Sequence, residues 1–295
     1  MLGILLIVVS TAFLSASDVA AKYLTATLPA AEIAWLRYVG FCLLVIPAGL
    51  MREGVSVFQS RQPGLQLLRG IGMIGSVLFF TSALRLLPVA EATAASFVSP
   101  IFITGLSVVF LGESTGIRRW LAALVGFVGV LVIIRPGTAA FQPATLLPIL
   151  AAASWATAVV TTRKLARHDR LLTTLVYSAL SGFIILSFVT PFNWVAPGWP
   201  EIAVGAVIGV ASTTGHWLVA WAYRLAPASM LAPFSYIHLL YATLFGYLVF
   251  GSLPDAWTWA GSALIIASGL YTAHRERVRA RERSILEAEA EPTGR

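Results

Sequence analysis

Ionisable side chains within apolar segments are the first candidates for chemistry in this chain. Asp18 and Lys22 are spaced i, i+4, so both would lie on one face of a helix. Glu32 and Arg37 follow after a short connection, again among apolar residues. Two carboxylates and two cations of this kind can form a neutral network. The pattern fits a static packing role, in which Asp18 pairs with Lys22 or Arg37, and also a gate or proton site that changes during a functional cycle.

Two histidines offer a second kind of chemistry. His216 and His238 lie inside long apolar segments, and an imidazole can change its protonation near physiological pH. The aromatic side chains of Trp155, Tyr236 and Tyr241 also lie deep in such segments and provide faces for stacking on a flat or cationic molecule. Cavity lining and plain packing are both open interpretations for these rings.

The composition places these residues in a membrane protein. Apolar residues make up 58% of the 295 and charged residues 11%, and the mean hydropathy is +0.84, whereas soluble domains carry about 25% charged residues. The net charge of +7 comes from scattered or C-terminal basic residues, so nucleic-acid binding is not indicated. The single cysteine, Cys42, excludes disulfides within the chain. The sequence contains no His-Glu-x-x-His and no cluster of metal-ligating residues. Residues 70–75 match the dinucleotide-binding pattern Gly-x-Gly-x-x-Gly, but they open an apolar segment that no strand precedes, so neither a metal nor another cofactor is expected.

Ten apolar segments are long enough to be membrane-spanning helices, each of which needs about 20 residues. Prolines fall in most of the proposed connections, where a missing N–H costs little. Pro100 and Pro233 instead fall inside the fourth and ninth segments. Each frees a backbone carbonyl that a substrate or water can use, and a simple kink is the equal alternative. The expected helices are residues 3–24, 30–50, 65–87, 91–111, 118–135, 144–164, 171–191, 200–222, 229–250 and 256–273.

An internal repeat divides these segments into two halves. The sequence Ala-Leu-Arg-Leu-Leu-Pro at 83–88 returns as Ala-Tyr-Arg-Leu-Ala-Pro at 222–227, and at the same offset Gly112 matches Gly251. A repeat of this length defines the architecture of a chain. The sequence therefore predicts three parts: a first five-helix repeat over 3–137, a second over 144–273, and a charged cytoplasmic tail over 274–295.

The lysines and arginines are distributed unevenly between the two sides of the expected bundle. With both termini in the cytoplasm, sixteen of the 20 fall on the cytoplasmic side, Lys22, Arg85 and Arg135 fall outside, and Arg37 lies within a helix. Such an excess marks the cytoplasmic side of membrane proteins. Because each repeat has an odd number of helices, the two halves must insert with opposite topology. The expected fold class is an all-α membrane protein with ten transmembrane helices in two inverted-topology repeats.

With this organisation the chain resembles the EamA family of the drug/metabolite transporter superfamily over residues 3–273. The residues that carry the resemblance in the first half are 17–24, 32–37, Leu68-Arg69-Gly70, Ser99-Pro100, Leu111-Gly112-Glu113 and Arg119-Trp120 with Gly126 and Gly129. In the second half, residues 232–236 and 251–255 look most like the subgroup of S-adenosylmethionine and riboflavin uptake proteins. The chain departs from the family at Ser252, which replaces an acid, and at His238-Leu239, where many members have an acid followed by proline.

The resemblance implies a cavity among helices one, three, four, six, eight and nine. The expected substrate contacts are Trp155, His216, Tyr236, His238 and Tyr241, with Ser96 and Ser99 as hydrogen-bonding partners. The expected gate or coupling residues are Asp18, Lys22, Glu32 and Arg37.

The expected function is secondary transport, without ATP, of a small polar or amphipathic metabolite across a bacterial inner membrane by alternating access. A cofactor-like or aromatic solute such as S-adenosylmethionine or riboflavin is the expected substrate, and export of amino acids or drugs is the alternative. An intramembrane lipid-modifying enzyme is an alternative from another class, although no residue stands out as its catalyst. The expected partners are the substrate and the lipid bilayer, without nucleic acid, and the protein is expected to be a monomer or homodimer.

Overall fold

The computed structural model describes residues 2–112, 117–138, 142–166, 168–226 and 228–290. This part of the chain is helical and contains no strand. Some expected features lie outside the described residues: Glu113 of the turn motif, position 227 of the repeat and residues 291–295 of the tail. The helices are α1 (Leu2–Leu24), α2 (Ala30–Glu53), α3 (Pro63–Leu86), α4 (Val89–Ser96), α5 (Ser99–Leu111), α6 (Ile117–Ile134), α7 (Leu146–Leu165), α8 (Leu171–Val189), α9 (Trp199–Leu225), α10 (Ala228–Ser235), α11 (Ile237–Phe250) and α12 (Ala256–Ala290).

The expected all-helical membrane fold is confirmed. Seven segments in the described ranges are long and apolar enough to cross a membrane: Leu2–Leu24, Ala30–Phe58, Pro63–Leu86, Val89–Leu111, Pro143–Leu165, Leu171–Asn193 and Trp199–Ala222. The other three expected spans correspond to the shorter helix α6, the pair α10 and α11, and the first half of α12. The last helix does not end where its apolar run ends, since α12 continues through the charged residues to Ala290.

Two of the expected helices are broken at corresponding points of the repeat. The fourth is divided into α4 and α5 at Phe97 and Val98, and the ninth into α10 and α11 at Tyr236. The N–H groups of Phe97 and Val98 bond to carbonyls three residues back, and Pro100 follows, which has no N–H to continue a regular ladder. The rings of Phe97 and Tyr236 have centroids 5.1 Å apart. The two breaks therefore lie side by side.

Close packing between the two halves brings the helices with polar residues together. α1 lies along α9 and α11, α3 along α7, and α2 along α8 and α9. α2 and α9 touch backbone to backbone, because a Cβ added to Gly40 would lie 2.6 Å from the Cα of Gly209. Only residues without side chains allow this approach. The contact holds Arg37 of α2 near His216 of α9.

A hydrogen-bonded cluster around Asp169 joins the connection between α7 and α8 to the start of α3. The Asp169 carboxylate accepts from Ser60 Oγ, from the backbone N–H of Arg61 at 2.8 Å and from Gln66 Nε2 at 2.7 Å. Burial by itself raises the pKa of Asp169, but the hydrogen bonds outweigh burial and hold the pKa below its usual value. The ionised carboxylate therefore stabilises this end of the bundle.

Gly40→Val should lower the melting temperature of the purified protein, because the new side chain forces α2 away from α9. Overpacking of this kind costs about 1–3 kcal/mol. Gly64→Val is the matched control, since a Cβ at Gly64 meets nothing within 4 Å. Thermal unfolding of both variants in one detergent measures the difference. Equal melting temperatures would show that the helices tolerate a wider separation.

Asp169→Asn should destabilise the protein at neutral pH but not in acid. A carboxyl whose folded-state pKa is lowered contributes stability above its unfolded pKa of about 3.9, and loses it as the pH falls through the folded-state value. The difference in melting temperature between wild type and Asp169→Asn should thus be full above about pH 5 and shrink towards about pH 3. A difference that stays constant with pH contradicts the assignment.

Candidate functional site

One carboxylate meets two basic side chains inside the bundle. Asp18 Oδ1 lies 3.3 Å from Arg37 Nη2, and Asp18 Oδ2 lies 3.5 Å from His238 Nε2. Asp18 is about 9 Å from the end of α1, at a rise of about 1.5 Å per residue. The side chains of Asp18 and Arg37 are 10% and 13% exposed. We call these three residues, one each from α1, α2 and α11, the Asp18 cluster.

Serine hydroxyls of α1 position this cluster. Ser15 Oγ donates to the carbonyl of His238 at 3.1 Å, close to the break that precedes α11. Ser17 Oγ donates to the carbonyl of Ile208 in α9 at 3.3 Å. Small residues such as these let helices approach closely and supply hydrogen bonds between them. α1 is thereby fixed against α9 and α11 with the Asp18 carboxylate facing His238.

His216 and Trp155 form a second pair near the Asp18 cluster. Their ring centroids are 6.3 Å apart. His216 Nδ1 lies 2.7 Å from the carbonyl of Ser212; since a carbonyl only accepts, Nδ1 carries the hydrogen and Nε2 is the acceptor of the neutral ring. Asp18 and Arg37 are among the charged side chains close enough to act on His216. The fold therefore brings both histidines, Trp155 and the Asp18–Arg37 pair into one region.

The exposure of these side chains indicates an internal space. Arg37, Trp155 and His216 are partly exposed although they lie away from the ends of their helices, and His238, the second residue of α11 beside the break at Tyr236, is partly exposed too. A guanidinium or imidazole that faces lipid is costly, so such groups face the bundle interior or a water-filled cavity. Convergent polar groups beside aromatic faces are typical of small-molecule sites.

The two tyrosines among the expected contacts have packing partners of their own. The Tyr236 ring fills the space that a side chain at Gly269 of α12 would need, and it also meets Phe97. Tyr241 stacks on Phe245 of its own helix, with centroids 5.5 Å apart. Both rings are partly exposed, so each combines packing with an accessible surface.

The two serines lie at the break of the fourth helix. Ser96 is the last residue of α4, and its Oγ donates to the carbonyl of Ala92 in the same helix at 2.8 Å. Ser99 is the first residue of α5. Ser99 corresponds in the repeat to His238, so one position carries a hydroxyl in the first half and an imidazole in the second.

Lys22 and Glu32 have hydrogen-bond partners outside the Asp18 cluster. Lys22 Nζ donates to the carbonyls of Leu84 and Leu87 at 2.9 and 2.8 Å, where α3 ends. Glu32 is fully buried, and its Oε2 accepts from the backbone N–H of Val195 at 3.1 Å. Of the two pairings considered for Asp18, the structure therefore contains the one with Arg37.

Sequence reasoning missed Arg69, which it placed among the basic residues of the cytoplasmic side. Arg69 is 8% exposed, with Nε donating to Thr162 Oγ1 at 2.8 Å and Nη1 to the carbonyl of Thr174 at 3.1 Å. It is also among the charged groups that act on His216. A signal was present, because Arg69 falls six residues inside a helix that begins at Pro63.

The arrangement suits binding better than bond-breaking chemistry. The site offers a carboxylate, two guanidinium groups and two imidazoles beside an indole face, which can pair with, hydrogen-bond to or stack on a solute. Among the described residues, no group of three or more His, Cys, Asp or Glu side chains could hold a metal ion.

Asp18→Asn should lower the melting temperature because it leaves the Arg37 guanidinium without its carboxylate. Removing one partner of a buried pair costs about 3–5 kcal/mol. The double variant Asp18→Asn/Arg37→Gln removes both charges and should recover most of the loss. Glu53→Gln is the control, since Glu53 pairs at 3.7 Å with the exposed Arg170, and such pairs contribute about 1 kcal/mol or less. Equal effects of Asp18→Asn and Glu53→Gln would refute the pairing.

Comparison with known proteins identifies the fold and the family. A protein of known crystal structure covers 92% of this chain and 97% of its own, with a TM-score of 0.64 and 25% identity. An S-adenosylmethionine uptake transporter from Rickettsia felis is 29% identical over 89% of both chains. A riboflavin transporter from Vibrio cholerae is 32% identical over 88% of both chains. A pseudopaline exporter from Pseudomonas aeruginosa is 30% identical over 90% of this chain and 94% of its own.

The family pattern covers both halves of the chain. The EamA-like transporter family matches residues 1–135 and 142–272. The resemblance carried by the helix-end motifs is therefore confirmed, and the relatives extend over most of the chain. The protein belongs to the EamA-like transporter family.

Proposed function

We propose that this protein is a secondary transporter that takes up a flat, heteroaromatic, cofactor-like metabolite by alternating access. The observation that carries the proposal is the pair of Trp155 and His216, which lies beside the Asp18 cluster inside the bundle. An indole face stacks on a heteroaromatic ring, and the ionic and imidazole groups bind its polar substituents. Midplane sites between two halves are typical of secondary transporters.

The proposed topology has ten spans in two inverted repeats, residues 3–137 and 144–273, followed by the tail 274–295. Helix pairing supports it, since exchange of the halves turns the α1–α9 pair into the α7–α3 pair. The breaks at Phe97 and Tyr236 correspond, as do the left-handed glycines that end α5 and α11, Gly112 with φ 65° and Gly251 with φ 67°. An odd number of spans per repeat requires opposite insertion.

The proposed location is the inner membrane of a bacterium, with both termini in the cytoplasm. The distribution of lysines and arginines supports this orientation. The end of the bundle that contains Leu24 and Ala30 is then the outer side.

Asp18, Lys22, Glu32 and Arg37 are proposed to close the outer side. Each ties α1 or α2 to another element in that half of the bundle: Asp18 joins Arg37, Lys22 caps the end of α3, and Glu32 binds the connection before α9. Alternating access requires such contacts to break when the outer side opens. A static packing role for these residues predicts instead that their replacement changes stability and leaves the transport rate of the folded protein unaltered.

Relatives named for uptake support a cofactor-like substrate, because S-adenosylmethionine and riboflavin both contain a flat heteroaromatic ring. Ser96 and Ser99 at the break of the fourth helix, with Tyr236 and Tyr241, are proposed as further contacts. The relative named as a pseudopaline exporter supports a second candidate, export of an amino-acid-like solute. The two candidates differ in the ring that Trp155 would stack on and in the direction of net movement.

Counterflow in proteoliposomes tests the substrate class. Labelled riboflavin or S-adenosylmethionine should exchange saturably with the same unlabelled solute inside, without chemical change. Trp155→Ala or His216→Ala should raise the KM about tenfold, since a lost stacking contact is worth about 1–1.5 kcal/mol.

Trp257→Ala is the matched control because Trp257 is 57% exposed near the start of α12 and should leave the KM unchanged. Exchange of a labelled amino acid but of neither cofactor supports the export candidate. A chemically converted product would sink the transporter proposal, and unaltered KM values for Trp155→Ala and His216→Ala would sink the site.

A further inference from the structure

A single carboxylate contacts two basic groups in the Asp18 cluster. Its Oδ1 faces Arg37 Nη2 at 3.3 Å and its Oδ2 faces His238 Nε2 at 3.5 Å. His238 Nε2 is buried and has no hydrogen-bond partner. An unprotonated imidazole nitrogen and a carboxylate oxygen both accept, so Nε2 must carry a hydrogen in a favourable contact, and binding of a further proton to the ring adds an ionic bond to the hydrogen bond. The geometry thus contains a place for a proton between α1 and α11.

The charged groups around His238 come from several helices. Asp18 of α1 contacts His238 directly, and Arg37 of α2 contacts the same carboxylate. His216 of α9 is close enough to interact electrostatically with the Asp18–Arg37 pair and with Arg69 of α3. α4 also packs against α11, but its Glu91 interacts with Lys22 and with the Arg135–Asp255 pair at the outer end of the bundle. The carboxylate next to His238 is therefore that of Asp18, and it is already shared with a guanidinium.

We propose that His238 carries the coupling proton of the transport cycle, bound between its Nε2 and Oδ2 of Asp18. This inference rests on the proposed function and names the ion that drives transport. Protonation makes His238 an imidazolium, which pairs with Oδ2 of Asp18 while Oδ1 keeps its contact with Arg37. The proton enters from the outer solution and leaves to the cytoplasm when Nε2 releases it.

Protonation changes the contact between α1 and α11. α11 runs from the break towards the outer end beside α1, and residues of both helices line one apolar groove there, among them Val19, Tyr23, Leu248 and Val249. An ionic bond at the inner end of this contact favours the state in which the outer side is closed. Loss of the proton removes the ionic bond and lets α11 separate from α1.

Only one of the two halves carries this proton site. Ser99 occupies the position in the first half that His238 occupies in the second, and a hydroxyl does not take up a proton near neutral pH. Only the half that contains α11 responds to proton binding in this way. A proton that binds from outside and closes the outer side moves in the same direction as the solute, so the coupling is symport.

Transport in proteoliposomes tests the coupling. Wild-type protein should accumulate labelled riboflavin or S-adenosylmethionine when the outside is acid, about tenfold for each pH unit if one proton moves per solute, and a protonophore should abolish the accumulation. His238→Gln should lose the accumulation driven by the pH gradient, measured relative to its own counterflow rate, whatever change it causes in the KM for the solute. His168→Gln is the matched control, since His168 lies exposed in the connection after α7, and it should accumulate like wild type. Accumulation by His238→Gln overturns the proposal.

A second measurement needs no substrate. The ionic pair exists only while the ring holds a proton, so wild type should gain melting temperature relative to His238→Gln when the buffer is changed from about pH 8 to about pH 5.5. A difference that does not change over this range overturns the proton site. If neither solute shows counterflow, the proposed substrate class fails, and this comparison still decides whether His238 binds the proton beside Asp18.

Discussion

A membrane's hydrocarbon core offers no partner for backbone N–H and C=O groups, and the structure follows from that constraint. Every span must bond its own backbone, which an α-helix does, and the spans of the described chain are built from α-helices. Breaks in such helices are tolerated only inside the protein or beside water. The breaks at Phe97 and Tyr236 meet each other through their rings, which keeps the irregular backbone of both halves together in the bundle.

The cost of charge in the same environment determines where the polar residues lie. Asp18 is tolerated because Arg37 and His238 face it, and Arg69 because a threonine hydroxyl and a backbone carbonyl accept from it. These partners come from different helices, so charge compensation and helix packing depend on each other. The Gly40–Gly209 contact makes this possible, since it brings α2 close enough to α9 for Arg37 to act on His216.

Relatives with different named solutes share this framework. Uptake of S-adenosylmethionine, transport of riboflavin and export of pseudopaline are named among proteins that are 29–32% identical to this chain. One fold can host many substrates because a few side chains in the site decide what binds. His238 and Ser99 occupy the same position in the two halves. They make the halves chemically different although the helices around them correspond.

The sequence by itself determined the all-helical membrane fold class and the positions of the apolar helices, since the length and hydropathy of apolar runs decide which segments can cross a membrane. It also marked Asp18, Arg37, His216 and His238, because ionisable residues in apolar runs are costly. Only the tertiary structure decided their partners. Lys22 and Arg37 were equivalent candidates for Asp18 in sequence, and sequence gave no reason to place Arg69 near His216. Pairing depends on how each helix is rotated and displaced against its neighbours, and that is set by close packing across the two halves, which no local pattern encodes.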